Sequence, residues 1–238
     1  MQSLRYLACG GQTEVATIAE NLAAVRERIA RATQRSGRTG EDVALIVVTK
    51  TIDVPRIREA VLAGATDLGE NYVQEAAAKQ EAIGPGVRWH FIGHLQRNKA
   101  RQAVGMFTTI QSVDSLALAE EIGRRALACG APADVLIEVN LAGEATKFGV
   151  APEDALSVAR RIGEVAGVRL QGFMGMAPFV EDPKVTRPYF ARLRELWDKL
   201  PEEQRRWLSM GMSLDFEVAI EEGSNMVRIG TAVFGPRG

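Results

Sequence analysis

The sequence has little cysteine and little histidine, with two residues of each in 238. Cys9 and Cys129 do not form a Cys-x-x-Cys pair, and so few thiolate and imidazole ligands argue against a structural zinc site. We therefore expect no metal site, and we expect free thiols rather than a disulfide, as is usual in a reducing compartment.

The sequence also lacks an excess of charge and any long apolar run. The net charge of −1 gives no field that would attract nucleic acid or an anionic membrane. No apolar stretch approaches the roughly 20 residues that span a bilayer, and the first residues carry too short an apolar run for a secretory signal. These absences predict a cytoplasmic protein that binds neither nucleic acid nor membrane. The basic run Arg97, Lys99 and Arg101 is interpreted as a solvated helix face.

What the sequence does have is a repeated alternation of short apolar runs and helical patterns. This alternation is typical of a parallel sheet covered by helices. The runs that we interpret as strands are 43–49, 65–69, 87–92, 108–113, 134–141, 168–176, 206–210 and 225–230. No linker or shift of composition divides the chain, and its length suits eight such units. We therefore predict a single domain over residues 1–238, an α/β protein with a (β/α)8 TIM-barrel fold.

An additional helix is predicted in front of the first strand. Apolar residues from Val15 to Ile29 recur at spacings of three and four, which puts them on one helix face. Thr13 is the predicted N-cap of this helix. The barrel is thus expected to carry an extra N-terminal helix outside the eight repeats.

Lys50 is the most informative residue, because it directly follows the apolar first strand. Functional groups of such barrels cluster at the C-terminal ends of the strands, so this lysine is expected to point into the mouth of the barrel. Partial removal from water lowers the pKa of an amine and frees it to attack a carbonyl carbon. The alternative is a lysine that extends into solvent, and its position alone does not decide between the two.

The loops after the seventh and eighth strands contain a candidate anion site. In such barrels these two loops often bind phosphate. Gly230 and Thr231 follow strand eight and offer backbone N–H groups, a hydroxyl and a residue without Cβ. Ser213 follows strand seven and adds a second hydroxyl. Taken singly, Gly230 is a turn glycine and Ser213 is a helix N-cap. Because closure of the barrel sets strand eight beside the strand that precedes Lys50, the phosphate site is favoured.

Arg228 interrupts the otherwise apolar eighth strand. A guanidinium group keeps its proton, so an inward-facing Arg228 must meet an acceptor or an anion. The alternation of side chains along a strand favours the inward direction. The alternative is an outward side chain in a surface ion pair.

Four segments of the chain resemble the YggS/PROSC family of pyridoxal 5′-phosphate (PLP) homeostasis proteins. They are ALIVVTK (44–50), GENYVQE (69–75), WHFIGHLQRNK (89–99) and the long segment 208–235, which begins LSMGMSLDFEVAIEEG. The resemblance runs from the first strand to the last. It implies the barrel of the alanine racemase N-terminal-domain type, and it implies PLP as the cofactor.

The resemblance also assigns roles to individual residues. It implies that Lys50 is the Schiff-base lysine and that Arg228 lies near the pyridine nitrogen of PLP. The other residues implied at the cofactor are Ser213, Gly230 and Thr231 around the phosphate, Asn71 at the face of the ring, and His94 and Gln96 at the rim.

The function implied by the resemblance is that of a PLP carrier or regulator, which could hand PLP to apo-enzymes. Alanine racemases carry a second, β-rich domain that supplies a catalytic tyrosine, whereas this chain ends at Gly238. Racemisation needs an acid or base on each face of the substrate Cα. Lys50 could serve one face, but Tyr72 is interpreted as a packing residue. We therefore expect a monomer with no catalytic residues and no robust catalysis.

Two other functions stay open at this point. One is a low-activity PLP-dependent amino-acid racemase. The other is a Schiff-base aldolase, in which Lys50 would act directly on a sugar phosphate. Lys147, in the loop after strand five, is either a second amine that helps PLP to arrive or leave, or a solvated loop lysine, and the second interpretation is favoured.

Overall fold

Eight parallel strands close into a barrel, in which each strand pairs with the next along the chain and the eighth pairs with the first. The computed structural model describes residues 16–38, 43–144 and 148–236. The strands are β1 (Ala44–Val48), β2 (Asp67–Glu70), β3 (Arg88–Phe91), β4 (Thr109–Val113), β5 (Ala133–Val139), β6 (Val168–Gly175), β7 (Trp207–Ser209) and β8 (Met226–Ile229). The predicted barrel is confirmed, and every predicted strand boundary lies within two residues of the observed one.

Helices follow the strands around the barrel. Those in the described residues are α1 (Ile18–Arg35), α2 (Val54–Leu62), α3 (Val73–Ile83), α4 (Ala100–Ala103), α5 (Leu116–Ala128), α6 (Ala155–Gly163), α7 (Arg187–Asp198), α8 (Phe216–Glu221) and α9 (Thr231–Phe234). Short 3-10 turns lie at Arg97–Lys99, Pro183–Thr186 and Glu202–Gln204. Helices α4 and α9 have four residues each, too few to show a helical period in the sequence.

The extra N-terminal helix is confirmed, but α1 begins later than predicted. Its N-cap is Thr17, whose hydroxyl accepts the N–H of Glu20 at 3.2 Å while the carboxylate of Glu20 accepts the N–H of Thr17 at 2.8 Å. This reciprocal pair is a capping box and satisfies two N–H groups at the helix start. Thr13 lies outside the described residues, as do Cys9 and Lys147.

The strands are buried on both faces, which explains their continuous apolar runs. The inside of the barrel nevertheless holds several buried polar side chains. Those on the strands that hydrogen-bond to one another across the barrel are Asp67, His90, Gln111, Ser209 and Arg228. Because they meet each other rather than the helices, they point to the barrel axis.

The helices of the described ranges include none with the length and apolar character needed to cross a membrane. Within the same ranges, no three His, Cys, Asp or Glu side chains are grouped so that they could hold a metal ion. Cys129 is exposed and has a free thiol.

Candidate functional site

A cavity of about 980 Å³ lies at the C-terminal ends of the strands. This volume is at the upper end of the range for small-molecule sites. Six of the eight residues implied at the cofactor line it, namely Lys50, Asn71, Ser213, Arg228, Gly230 and Thr231. His94 and Gln96 line it as well. The barrel therefore brings together residues that are up to 181 positions apart in the sequence, from Lys50 to Thr231.

Lys50 is half-buried in a tight turn, two residues beyond the end of β1. The next residue, Thr51, has φ of 63°, and it is the single non-glycine residue with positive φ in the part of the chain that the structure describes. Val47 on β1 pairs with Ile229 on β8. Lys50 and Gly230 therefore follow the ends of two neighbouring strands and face the same cavity.

A charged cluster holds the backbone on both sides of Lys50. Lys79, on α3, donates from Nζ to the carbonyl oxygen of Thr49 at 2.7 Å. Its neighbour in the cluster, Glu75, accepts the N–H of Thr51 at 2.8 Å and a hydrogen bond from Lys79 at 2.5 Å. The peptide groups that flank Lys50 are thus fixed to the first two turns of α3.

The cluster is completed by Glu70, which is fully buried at the end of β2. Its Oε1 accepts hydrogen bonds from Lys79 at 2.8 Å and from the hydroxyl of Thr49 at 2.6 Å. Burial raises the pKa of Glu70, and the hydrogen bonds from Lys79 and Thr49 oppose that shift. Sequence reasoning missed Lys79 and Glu70, although a glutamate inside a buried strand is itself a signal.

The loops after β7 and β8 are joined at the cavity. The hydroxyl oxygen of Ser213 accepts a hydrogen bond from the N–H of Ala232 at 3.3 Å. The expectation that Ser213, taken singly, caps the following helix is wrong, since the N-cap of α8 is Asp215.

Gly230 lets the end of β8 approach β1 closely. A Cβ at this position would lie 3.3 Å from both the Cβ and the carbonyl oxygen of Val48, which is tighter than an ordinary van der Waals contact. Gly230 is also the N-cap of α9, and the first N–H groups of a helix have no acceptor within it. Backbone N–H groups and two hydroxyls thus border one part of the cavity, an arrangement that suits an anion.

Arg228 lies inside the barrel and is 4% exposed, so an outward surface ion pair is excluded. Its Nη1 donates to the hydroxyl oxygen of Ser209 at 2.6 Å, and its Nη2 donates to the carbonyl oxygen of Gly175 at 3.0 Å. Burial lowers the pKa of the guanidinium to about 10, and the charges of Glu138 and Asp215 oppose the shift. Arg228 therefore places a positive charge at the cavity at neutral pH.

Glu138, on β5, is a cavity residue that sequence reasoning missed. Burial raises the pKa of its carboxyl to about 7, Arg228 acts to lower it, and Asp114 acts to raise it. The signal was present in the sequence: Glu138 interrupts the apolar run 134–141 just as Arg228 interrupts the eighth strand. The cavity thus contains a group that can gain or lose a proton near neutral pH.

Asn71 and His94 offer different groups to the cavity. The Oδ1 of Asn71 is buried and accepts no hydrogen bond from the described residues. His94 stacks on Phe148 with 3.6 Å between ring centroids, and its Nδ1 is 3.4 Å from a carboxylate oxygen of Asp114. An unused acceptor and a stacked ring are thus both available to a ligand.

Two further expectations need correction at the rim. Tyr72 is not a packing residue, because it is 61% exposed and lines the cavity. Of the basic run, Arg97 and Arg101 are exposed as expected, whereas Lys99 is half-buried and lines the cavity. Lys147 lies outside the described residues, so its interpretation stays a prediction.

Comparison with known proteins gives relatives that match over nearly their whole length. The family model described as alanine racemase, N-terminal domain, matches residues 21–238. A pyridoxal phosphate homeostasis protein from Aquifex aeolicus is 46% identical over 222 residues, which cover 92% of this chain and 97% of that protein. One of the same name from Pseudomonas aeruginosa is 43% identical over 224 residues, covering 94% and 97%. The structure of PipY from Synechococcus elongatus with PLP bound superposes with a TM-score of 0.78 at 36% identity, covering 92% of this chain and 100% of that chain.

Proposed function

This chain belongs to the family of pyridoxal phosphate homeostasis proteins, within the alanine racemase N-terminal domain family, and from this premise we propose that it binds PLP as a Schiff base on Lys50. The observation that carries the proposal is that Lys50 lines one cavity with the loops at Ser213 and Gly230. We propose further that the protein acts as a cytoplasmic, monomeric carrier or regulator of PLP. It would limit the amount of free reactive aldehyde and hand PLP to apo-enzymes.

The residues of the cavity fit each part of PLP. The aldehyde needs an amine, which Lys50 offers, and the phosphate needs hydrogen-bond donors, which Ser213, Gly230 and Thr231 offer. The buried Oδ1 of Asn71, with no donor to it among the described residues, leaves an acceptor for the ligand. Arg228 brings a charge that suits the ring nitrogen or the overall negative charge of the ligand.

PLP, when bound, supplies an electrophilic carbonyl and a ring that can accept electrons. Arg228 would act against the second property, because a guanidinium donates hydrogen bonds but does not release its proton. A ring nitrogen that accepts a hydrogen bond from Arg228 stays unprotonated. The ring then withdraws electrons only weakly. Lys79 and Glu75 meanwhile fix the turn that bears Lys50. This arrangement favours holding PLP over transforming a substrate.

The alternative is a low-activity amino-acid racemase, which the match to the alanine racemase N-terminal domain favours. Racemisation requires one proton carrier on each face of the substrate Cα. Glu138, whose pKa burial raises to about 7, lines the same cavity as Lys50. It is therefore the carboxyl that a racemase activity would use beside Lys50.

The absorption spectrum of the purified protein, after incubation with PLP and removal of unbound PLP, tests the proposal. A Schiff base absorbs visible light, and borohydride removes this band when it reduces the C=N bond to a secondary amine. Lys50→Ala is expected to lose the band, while Lys199→Ala, at an exposed position that does not line the cavity, keeps it. A protein that stays colourless with PLP overturns the proposal and leaves the Schiff-base aldolase.

Hydrogen exchange separates the carrier from the racemase. We expect no deuterium at Cα when the PLP-loaded protein is incubated with L-alanine or D-alanine in D2O. Sustained incorporation with conversion to the other enantiomer, lost in both Lys50→Ala and Glu138→Gln, would establish the racemase instead.

A further inference from the structure

A line of buried polar side chains crosses the inside of the barrel beneath the cavity. It starts at Arg228, whose Nη1 donates to the hydroxyl oxygen of Ser209 at 2.6 Å. The hydroxyl of Ser209 is 2.7 Å from Oε1 of Gln111. The Nε2 of Gln111 is in turn 3.5 Å from Nδ1 of His90. Strands β8, β7, β4 and β3 are thereby connected through their side chains.

The line ends at the opposite end of the barrel. The Nε2 of His90 is 2.9 Å from a carboxylate oxygen of Asp67, the first residue of β2. Arg88 binds both oxygens of the same carboxylate, at 2.7 and 2.6 Å, and its side chain is 61% exposed. Burial acts to raise the pKa of Asp67, but the hydrogen bonds from His90 and Arg88 outweigh it and hold the pKa well below its usual range. Asp67 is therefore a fixed negative end for the line.

With one proton on the ring of His90, the chemistry of the groups fixes the direction of every bond. A guanidinium only donates, so the oxygen of Ser209 accepts from Arg228, and the hydroxyl hydrogen goes to Oε1 of Gln111. The amide nitrogen of Gln111 then donates to Nδ1 of His90. The ionised Asp67 accepts from Nε2, which sets the tautomer of His90. In this arrangement every donor along the line meets an acceptor.

We propose that Ser209, Gln111 and His90 are positioning residues that hold the guanidinium of Arg228 at its place in the cavity. Two carboxyls compete for this guanidinium, Glu138 from β5 and Asp215 from the start of α8. With the acceptor at Ser209 removed, Arg228 turns toward these acids and away from the ring of a bound ligand. Only the effect on a bound PLP ring rests on the proposed function. The hydrogen bonds from Arg228 to His90 lie within the protein and do not depend on a ligand.

The first experiment needs no PLP. In 15N-labelled protein, the Nη hydrogens of Arg228 bound to Ser209 and Gly175 are expected to exchange slowly and to give resolved NMR signals at low temperature. Ser209→Ala is expected to lose these signals, and Ser209→Thr, which keeps a hydroxyl, is expected to retain them. Gln111→Leu removes the acceptor of the Ser209 hydroxyl hydrogen and is expected to weaken the Arg228 signals, while the ring 15N shifts of His90 stay those of the tautomer that Asp67 sets. Unchanged Arg228 signals in Ser209→Ala overturn the proposal.

The second experiment measures PLP affinity and the absorption maximum of the bound form. We expect affinity about tenfold weaker in Ser209→Ala, the effect of one lost hydrogen bond to a charged group, together with a shifted maximum and recovery in Ser209→Thr. Weaker binding with intact Arg228 signals contradicts the proposal, because the loss then does not act through the guanidinium. A wild-type protein that binds no PLP overturns the proposed function. The NMR experiment still shows whether Ser209 holds the guanidinium of Arg228 in place.

Discussion

The ammonium group of Lys79 lies 2.7 Å from the carbonyl oxygen of Thr49, the residue that precedes Lys50. The same ammonium binds Glu70 and Glu75, so its hydrogens are directed at three oxygen atoms. A side chain held by three hydrogen bonds in this way is suited to positioning its neighbours. Lys79 therefore positions the turn that bears Lys50, the lysine before it in the sequence.

The Lys79–Glu70 pair predicts a large effect on stability. Lys79→Met leaves the fully buried carboxylate of Glu70 without its cation, which we expect to lower the free energy of unfolding by about 3–5 kcal/mol. Urea unfolding measures the change. Lys199→Met, at an exposed position, is the control and should stay within about 0.5 kcal/mol of wild type. A Lys79→Met protein as stable as this control would show that the pair contributes nothing.

The close approach at Gly230 predicts a selective effect on the phosphate. In Gly230→Ala the new methyl group meets Val48 at 3.3 Å and must push the β8 loop away from β1. We expect affinity for PLP to fall by about tenfold, since at least one hydrogen bond to the phosphate is lost. Affinity for pyridoxal, which has no phosphate, should change little. Equal losses for the two ligands would argue against a phosphate site at Gly230.

The buried carboxyl of Glu138 predicts a pH dependence of stability. Its pKa is about 7 in the folded protein against an ordinary value of 4.5, so the folded state binds this proton more tightly. The stabilisation is complete below pH 4.5 and is lost as the pH rises to about 7. From pH 5 to 8, wild type should lose about 2.5 kcal/mol more than Glu138→Gln, in which no proton is exchanged. Urea unfolding of both proteins at four pH values checks this, and parallel curves would be the contrary outcome.

The fold could be predicted because its signals are local. Apolar runs and helix caps are written in neighbouring residues: Asp53, for example, precedes Pro55 and caps α2 by accepting the N–H of Arg56 at 3.1 Å. The placement of Lys50 and Gly230 at one cavity followed from closure of the barrel, which sets the last strand beside the first.

The polar interior of the barrel could not be predicted in the same way. His90 and Gln111 each look like one polar residue in a strand, and their partners Asp67 and Ser209 lie on other strands. Which side chains meet across the barrel depends on the stagger of the strands, and no local pattern contains that stagger. Glu138 is different: a charge within an apolar run singled out Arg228, and the same reasoning applied to Glu138 would have found it.

Peptide mapping after borohydride reduction identifies the lysine that binds PLP. The protein is loaded with PLP, reduced, digested and analysed by mass spectrometry, which identifies every lysine that carries a pyridoxyl group. We expect the group on Lys50, with Lys79 and Lys147 unmodified. A pyridoxyl group on another lysine, with Lys50 unmodified, would contradict the assignment of Lys50 as the Schiff-base lysine.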